Sequence, residues 1–274
     1  MIGASTRAAA VLGHPVRHTL SPVMHNSALS HLGLDAVYLA LDPGPCLGDS
    51  VRTLARCGFV GFNITVPFKE DALASVDWLD PTARALQCVN VIKRDEGALE
   101  GYNTDVYGVQ QSLKEADIEL RGRRVVILGA GGAARAAAYA CCKAGAREVV
   151  VVNRNRHRAE QLCRLIVDWG AESSAHALKW PLQVEADLFV NASTLGLTFH
   201  QEVTPYAQAV LDMVYSPGNT ELVRSCRKRG VPCVSGLSVL LWQGVEAFSL
   251  LFGAPAPVDI MREALDRATG GDAW

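Results

Sequence analysis

The chain has 274 residues, of which 49% are hydrophobic and 20% are charged, and its formal net charge is -2. This composition excludes an intrinsically disordered chain, and the near-neutral charge argues against a general nucleic-acid-binding protein. At about 150 residues per domain, the length suggests two domains.

The start of the chain and its cysteines predict a cytoplasmic protein. The eight cysteines form no C-x-x-C pair, and the first thirteen residues carry one positive charge and only a short apolar stretch. We therefore expect no signal peptide and reduced thiols. The apolar stretch at residues 231–258 contains Gln243, Glu246 and several glycines and prolines, so we expect no membrane span. The histidines lack metal-ligand spacing, and we expect no metal site.

Strands and helices alternate in the first third of the chain. Short apolar runs predict strands at residues 8–13, 37–41 and 59–65, and a hairpin formed by residues 89–93 and 98–99. Helices are predicted from Ser21 to Gly33 and over residues 47–57, and a short helix is expected to open at Pro67. Ser21 followed by a proline is the pattern of a helix N-cap with proline at the first helical position.

A β-α-β unit follows in the middle of the chain. A helix is predicted over residues 104–116, and the apolar runs at 125–128 and 148–152 flank an alanine-rich helix that ends at Gly145. Such a unit requires a parallel sheet. Further strands are predicted at residues 188–191, 210–214 and 231–234, and two final helices at 238–252 and 258–268. We therefore expect two α/β domains, with the glycine-rich one in the second half.

The turn that opens the alanine-rich helix reads Gly129-x-Gly131-x-x-Ala134. Glycines permit a tight turn and let main-chain N–H groups approach a pyrophosphate, and the positive end of the helix dipole favours the anion. Because the motif follows a predicted strand and opens a helix, it favours a dinucleotide site over a tight turn without a ligand.

The end of the second strand of that unit indicates which dinucleotide binds. An NAD site places an acidic residue there, but residues 153–158 contain three arginines and no acid. Asn153 lies 24 positions after Gly129, close to the roughly 20-residue spacing expected. Guanidinium groups match the geometry of a 2′-phosphate, so the segment favours NADP. The alternatives are a solvated basic face or a local nucleic-acid patch.

Two polar clusters in the first third are candidate catalytic segments. In residues 61–69 a strand ends in polar residues, a proline forces a turn, and Lys69 follows. A lysine in a cleft can serve as acid or base, although such a lysine is more often a surface charge. In residues 101–105 the alternative is helix capping, with Asn103 or Thr104 holding the helix end.

Taken in chain order, these segments resemble those of the shikimate dehydrogenase family, the NADP-dependent enzymes that interconvert 3-dehydroshikimate and shikimate. The similarity covers essentially the whole chain, and the order of the segments is more specific than any one of them. The matching segments are residues 18–26, 61–69, 89–90, 101–105, 129–135, 153–158, 191–196, 212–217 and 236–243.

The resemblance implies roles for individual residues. Lys69 and Asp105 would be the paired catalytic groups. The substrate would be bound by Thr19, Ser21, Thr65, Asn90, Tyr215 and Gln243. NADP would be bound by Gly129, Ala130, Gly131, Gly132, Ala133, Asn153, Arg154, Asn155, Arg158, Ser193, Thr194, Val214 and Gly236.

The resemblance also implies an α/β architecture of two domains. Residues 1–105 and 239–274 would form the substrate domain, with the C-terminal helices returning to it, and residues 106–238 a Rossmann-like NADP-binding domain. The expected ligands are NADP and a small-molecule substrate, with no nucleic-acid or membrane partner. The expected assembly is a monomer or a homodimer.

Several positions depart from the family's usual residues. Thr19 stands where serine is common, Val91 and Asn155 where threonine is common, and Val239 in place of a methionine near the nicotinamide. Ser193 and Thr194 are exchanged relative to the usual order. A quinate/shikimate or aminoshikimate dehydrogenase therefore remains an alternative. A non-catalytic NADP-binding sensor and a folate-linked dehydrogenase are more distant ones.

Overall fold

The computed structural model describes residues 2–177, 185–193, 206–216 and 219–271. The chain divides into two units by its contacts. The first unit comprises Met1–Thr104 and Gln243–Ala268, and the second comprises Asp105–Trp242 and Thr269–Trp274.

The first unit contains a six-stranded mixed sheet. Its strands are β1 (Arg7–Leu12), β2 (Ala36–Leu41), β3 (Phe59–Ile64), β4 (Trp78–Leu79), β5 (Val91–Asp95) and β6 (Ala98–Tyr102), in the order β2-β1-β3-β5-β6-β4. β1 runs parallel to β2 and β3, whereas β5 runs antiparallel to β3 and β6. The predicted hairpin is confirmed, and its two turn residues, Glu96 and Gly97, have the positive φ angles that a tight hairpin turn favours.

Helices cover this sheet. They are α1 (Ser21–His31), α2 (Leu47–Arg56) and α3 (Pro81–Leu86), and a 3-10 helix at Asp71–Ser75 lies between β3 and β4 in the chain. Val51 of α2 packs with Phe62 and Ile64 of β3 in the hydrophobic core. Gln243–Ala268, near the C-terminal end of the chain, also belongs to the first unit.

Two local predictions for the first unit are wrong. Ser21 is not the N-cap of α1, because Leu20 occupies that position without a side-chain cap and Ser21 is already helical. No helix opens at Pro67, because Phe68 N–H donates to Thr65 O in a turn, and regular structure resumes only at Asp71. The start of α1 therefore leaves the Ser21 hydroxyl available for other bonds.

The second unit is built around a fully parallel six-stranded sheet, as predicted. Its strands are β7 (Arg124–Leu128), β8 (Glu148–Asn153), β9 (Glu172–Ala177), β10 (Glu185–Asn191), β11 (Tyr206–Asp212) and β12 (Cys233–Val234). Their order is β12-β11-β10-β7-β8-β9, and every pair is parallel. This is the doubly wound order of a dinucleotide-binding fold, in which the direction of winding reverses between β7 and β10.

The helices of the second unit connect these strands. They are α4 (Asp105–Glu115), α5 (Gly132–Lys143), α6 (Arg156–Asp168) and α7 (Glu221–Arg229), followed by α8 (Gly236–Phe252) and α9 (Val258–Thr269). α8 belongs to the first unit from Gln243 onward, as does most of α9. At Gly244 a Cβ atom would overlap the end of the Met24 side chain, so the glycine lets α8 pack closely on α1 without displacing that side chain.

Some elements of the second unit were not predicted. α6 and β9 lie beyond the arginine-rich segment, and the predicted strand at 210–214 is shifted to Tyr206–Asp212. All eight cysteines are free thiols. Within the part of the chain that the structure describes, no helix combines the length and apolar character needed to cross a bilayer.

His25 is a buried ionisable group in the first unit. Its ring is completely buried and stacks on Tyr38 at a centroid distance of 4.2 Å and on Phe248 at 6.0 Å. Among the described residues, neither ring nitrogen has a hydrogen-bond partner. Burial lowers the pKa of His25 from 6.5 to about 3, because the charged imidazolium is poorly solvated there.

Acid should therefore destabilise the protein through His25. The unfolded chain takes up this proton near pH 6.5 and the folded chain only near pH 3. The contribution of the neutral His25 to the free energy of unfolding is fully present above pH 6.5. It declines as the pH falls towards 3, by about 1.4 kcal/mol per pH unit. Urea unfolding at pH 7 and pH 5 should show a smaller loss in His25→Phe than in the wild type.

The exposed His31 on the same helix supplies the control, because His31→Gln should leave the wild-type pH dependence unchanged. An equal loss of stability in the wild type and in His25→Phe would contradict the assignment to His25.

Candidate active site

Two predicted substrate residues, Thr65 and Asn90, lie at one edge of the sheet of the first unit. β1 and β3 are parallel and in register at Leu12 and Ile64, so their carboxyl ends meet. β5 is antiparallel to β3, which brings its first residue, Val91, opposite Asn63 at the same edge. The pairing continues to Ile64 and Asn90, so Asn90 lies opposite the residue that precedes Thr65.

Asn90 is the centre of the hydrogen bonds at this edge. Its main-chain oxygen accepts from Ile64 N at 2.7 Å, and its side-chain Oδ1 accepts from Thr104 N at 2.7 Å. Its Nδ2 donates to Thr104 Oγ1 at 3.0 Å. Because a main-chain N–H can only donate, the Thr104 amide fixes which end of the Asn90 carboxamide is oxygen.

The two predicted catalytic residues are adjacent in the chain to residues of this centre. Val89 N–H donates to Lys69 O at 2.9 Å, so the main chain of Lys69 is bonded to the neighbour of Asn90. Asp105 follows Thr104 directly, begins α4, and is only 5% exposed. Asn103 and Thr104, the alternative capping residues, both bond to the segment that contains Asn90: Asn103 Nδ2 donates to Cys88 O at 3.0 Å.

Thr19 and Ser21 form a pair of neighbouring hydroxyls in the segment after β1. Thr19 Oγ1 donates to Ser21 Oγ at 3.2 Å and accepts from Ser21 N at 3.3 Å. Ser21 is not a cap, so its hydroxyl can donate its own proton to an anion, and the Thr19 hydroxyl can rotate away from Ser21 to donate to the same anion. Gln243 is buried on α8, and Tyr215 lies in the second unit, in the segment that follows β11.

The glycine turn after β7 has the conformation that the sequence predicts. Gly129 has a φ of +120°, and a Cβ atom there would lie 2.6 Å from Ala192 O, in the segment after β10. Gly131 is the N-cap of α5, and a Cβ on it would meet nothing within 4 Å. The start of α5 thus carries no side chain at its N-cap, and residues 131–133 are half-buried, which fits a helix start that binds a pyrophosphate.

The arginine-rich segment follows β8, and some of its side chains form hydrogen bonds or ion pairs within the segment and α6. Asn155 is the N-cap of α6, where its side chain accepts from Arg158 N at 3.3 Å. Asn153 Nδ2 donates to Asn155 O at 2.9 Å. Arg154 is exposed and forms no ion pair with any described residue, whereas Arg156 pairs with Glu160 at 3.0 Å. Arg154 is thus an exposed guanidinium of this segment that pairs with no described carboxylate.

The remaining predicted cofactor residues lie at the carboxyl ends of the second sheet. Ser193 Oγ donates to Asn191 Oδ1 at 2.8 Å. Val214 and Gly236 are in contact, since a Cβ atom on Gly236 would lie 2.6 Å from Val214 O. Thr194 lies outside the described residues. Among the residues that the structure describes, no group of three or more His, Cys, Asp or Glu could hold a metal ion.

Asp212, the buried last residue of β11, is a polar residue at this edge for which the sequence predicts no role. Burial raises the pKa of this carboxyl, although three hydrogen bonds oppose the shift. The signal in the sequence is an acidic residue at the end of an apolar strand, at the edge where the glycine turn lies.

Comparison with known proteins supports one family along the whole chain. Residues 11–92 match the shikimate dehydrogenase substrate-binding domain, residues 110–189 the shikimate/quinate 5-dehydrogenase family, and residues 236–265 the shikimate 5′-dehydrogenase C-terminal domain. The NADP(+) shikimate dehydrogenase of Moorella thermoacetica is 41% identical, with 99% of this chain and 98% of the relative covered.

Solved structures agree with this result. Shikimate 5-dehydrogenase from Thermus thermophilus, in complex with NADP(H) and shikimate, is 38% identical with a TM-score of 0.82, covering 96% of this chain and 100% of that one. Quinate dehydrogenase from Corynebacterium glutamicum, in complex with NAD, is 28% identical with a TM-score of 0.84, covering 95% and 98%. The predicted fold is confirmed, and the chain belongs to the shikimate dehydrogenase family.

Proposed function

We propose that this chain catalyses the reversible NADPH-dependent reduction of 3-dehydroshikimate to shikimate, with Lys69 and Asp105 as its catalytic pair. The observation that supports the pair is the hydrogen-bonded centre at Asn90. It lies one residue from Val89, which bonds the main chain of Lys69, and it bonds Thr104, which precedes Asp105.

Lys69 handles the proton of the reaction. Its ammonium group donates a proton to the oxygen of the ketone as that oxygen becomes an alkoxide, and it takes the proton back in the reverse direction. The buried Asp105 carboxylate orients the ammonium group and accepts from a substrate hydroxyl. NADPH, when bound, supplies the hydride, so the protein contributes position and electrostatics.

The polar residues around this pair bind the rest of the substrate. The hydroxyls of Thr19, Ser21 and Tyr215 donate hydrogen bonds to the substrate carboxylate. Thr65, Asn90 and Gln243 bind the ring hydroxyls. Asn90 suits this role because Thr104 already fixes the orientation of its carboxamide.

The second unit holds NADP. The open space over Gly131 and the amides of α5 fit the pyrophosphate, and Arg154 and Arg158 fit the 2′-phosphate. Asn155 contributes by capping α6, which fixes the segment that carries these arginines. Ser193, Val214 and Gly236 lie along the same edge of the sheet and complete the site.

The free cysteines are consistent with a reducing, cytoplasmic compartment, which we propose for this protein. We predict that the protein is a monomer or a homodimer, and a sedimentation measurement would decide between the two.

Lys69→Ala should lower kcat by about 100-fold or more with a modest change in KM, because it removes the proton donor. Asp105→Asn should also lower kcat. The double variant should lose far less than the product of the two single losses, since both groups act on the same proton. Steady-state kinetics of the four proteins measures this coupling.

Lys93→Ala is the matched control. Lys93 lies on β5 and faces Asp95 and Glu100, both at 3.7 Å, so its loss should leave kcat unchanged. Near-normal turnover of Lys69→Ala, or strictly multiplicative losses in the double variant, would refute the pair.

A quinate dehydrogenase is the second candidate, because a quinate dehydrogenase shares this fold at 28% identity. Assays with shikimate or quinate, each with NADP or NAD, separate the two. We expect shikimate with NADP to give the highest kcat/KM.

Arg154→Ala should raise KM for NADP far more than for NAD, because it removes a phosphate partner.

Arg156→Ala is the control for Arg154, since Arg156 is in an ion pair on the outer face of α6. Its KM for NADP should match that of the wild type. Equal effects of Arg154→Ala on NADP and NAD would remove the 2′-phosphate assignment, and a preference for quinate would replace the proposed substrate.

A further inference from the structure

We propose that Asp212 is a positioning residue that holds two turns of the second sheet in the arrangement needed by both cofactor and substrate. The two turns are residues 191–193 after β10, which include Ser193, and residues 213–215 after β11, which include Val214 and Tyr215. The inference rests on the proposed function, which gives these residues their ligands.

Asp212 lies where the two strands end together. It is the last residue of β11, is paired in register with Asn191, the last residue of β10, and is 0% exposed. Among the described residues it forms no ion pair, and its carboxylate is held by neutral donors. A buried carboxylate is costly unless it is hydrogen-bonded, so its bonds define what it does.

One carboxylate oxygen bonds to both turns. Asp212 Oδ1 accepts from Asn191 Nδ2 at 2.9 Å and from Val214 N at 3.1 Å. Asn191 Oδ1 in turn accepts from Ser193 Oγ at 2.8 Å and from Ser193 N at 3.3 Å. The position of Ser193 is thus linked through Asn191 to Asp212, and the position of Val214, one residue before Tyr215, is linked to it directly.

The other carboxylate oxygen anchors the group to α7. Thr220 Oγ1 donates to Asp212 Oδ2 and accepts from Val223 N at 3.2 Å, as the N-cap of the helix. The two oxygens therefore have separate tasks: Oδ1 orders the turns, and Oδ2 fixes the carboxylate to the scaffold. This separation allows the positioning role to be distinguished from a contribution to stability.

Three variants test the inference. Asp212→Ala releases both turns and should raise the Kd for NADPH and the KM for 3-dehydroshikimate at least fivefold. Thr220→Val removes only the anchor, so it should lower Tm but change both constants less than twofold. Asp212→Asn should restore both constants to within threefold of the wild type, because its amide oxygen can take the place of Oδ1 while its NH2 group faces the Thr220 oxygen.

The Kd for NADPH is measured by fluorescence titration, so it does not depend on turnover. If the wild type fails to reduce 3-dehydroshikimate, the proposed function fails, while the titration still tests the turn at Ser193. Asp187→Asn is the matched control, because Asp187 is a carboxylate on β10 whose Oδ2 accepts from Arg124 N at 2.8 Å, near the opposite end of the strand.

A fall in Tm of Asp212→Ala with both constants within twofold of the wild type would show a purely structural role and overturn the inference. So would a Thr220→Val variant with the same kinetic losses as Asp212→Ala. Should Asp212→Ala fail to fold, Asn191→Ala breaks only the link to Ser193. It should raise the Kd for NADPH at least threefold, and an unchanged Kd would also overturn the inference.

Discussion

The polar edge of the first unit depends on the orientation of one carboxamide. Asn90 is 2% exposed, and an unpaired amide group in such a place costs about 1–3 kcal/mol. Both ends of the carboxamide are paired with Thr104, and the Thr104 N–H leaves only one orientation possible. This one side chain therefore holds Thr104, the last residue of the first unit before Asp105, against the segment whose main chain is bonded to Lys69.

The second unit depends on a different constraint, which is that Gly129 has no side chain. β7 and β10 are neighbours in the sheet, so the turns that follow them must pass each other closely. The positive φ of Gly129 and the 2.6 Å approach of Ala192 O to its missing Cβ show how close that passage is. The same turn leaves no side chain at Gly131, the N-cap of α5, so the requirements of packing and of anion binding coincide.

Patterns that one segment carries by itself were predictable from the sequence. The apolar runs of β7 and β8 and the glycine turn between them indicate their structure locally, because strand burial and backbone freedom are properties of the residues present. Ser21 and Asn155 show the limit of this reasoning. A hydroxyl or amide near a helix start suits a cap or a ligand equally well, and only the folded chain shows that Asn155 caps and Ser21 does not.

Partners that are distant in sequence explain the rest. Asp212 has a function only because β10 and β11 are neighbours, and no spacing in the sequence indicates that Asn191 is its partner. His25 and Asp212 are both buried ionisable groups. Burial lowers the pKa of His25 and raises the pKa of Asp212, and both shifts favour the neutral form. They differ in their bonds: His25 is packed between aromatic rings without a hydrogen-bond partner among the described residues, whereas Asp212 accepts three. His25 is therefore a buried group whose role is packing. Asp212 is buried and also accepts hydrogen bonds from three residues, so it can hold those residues in place.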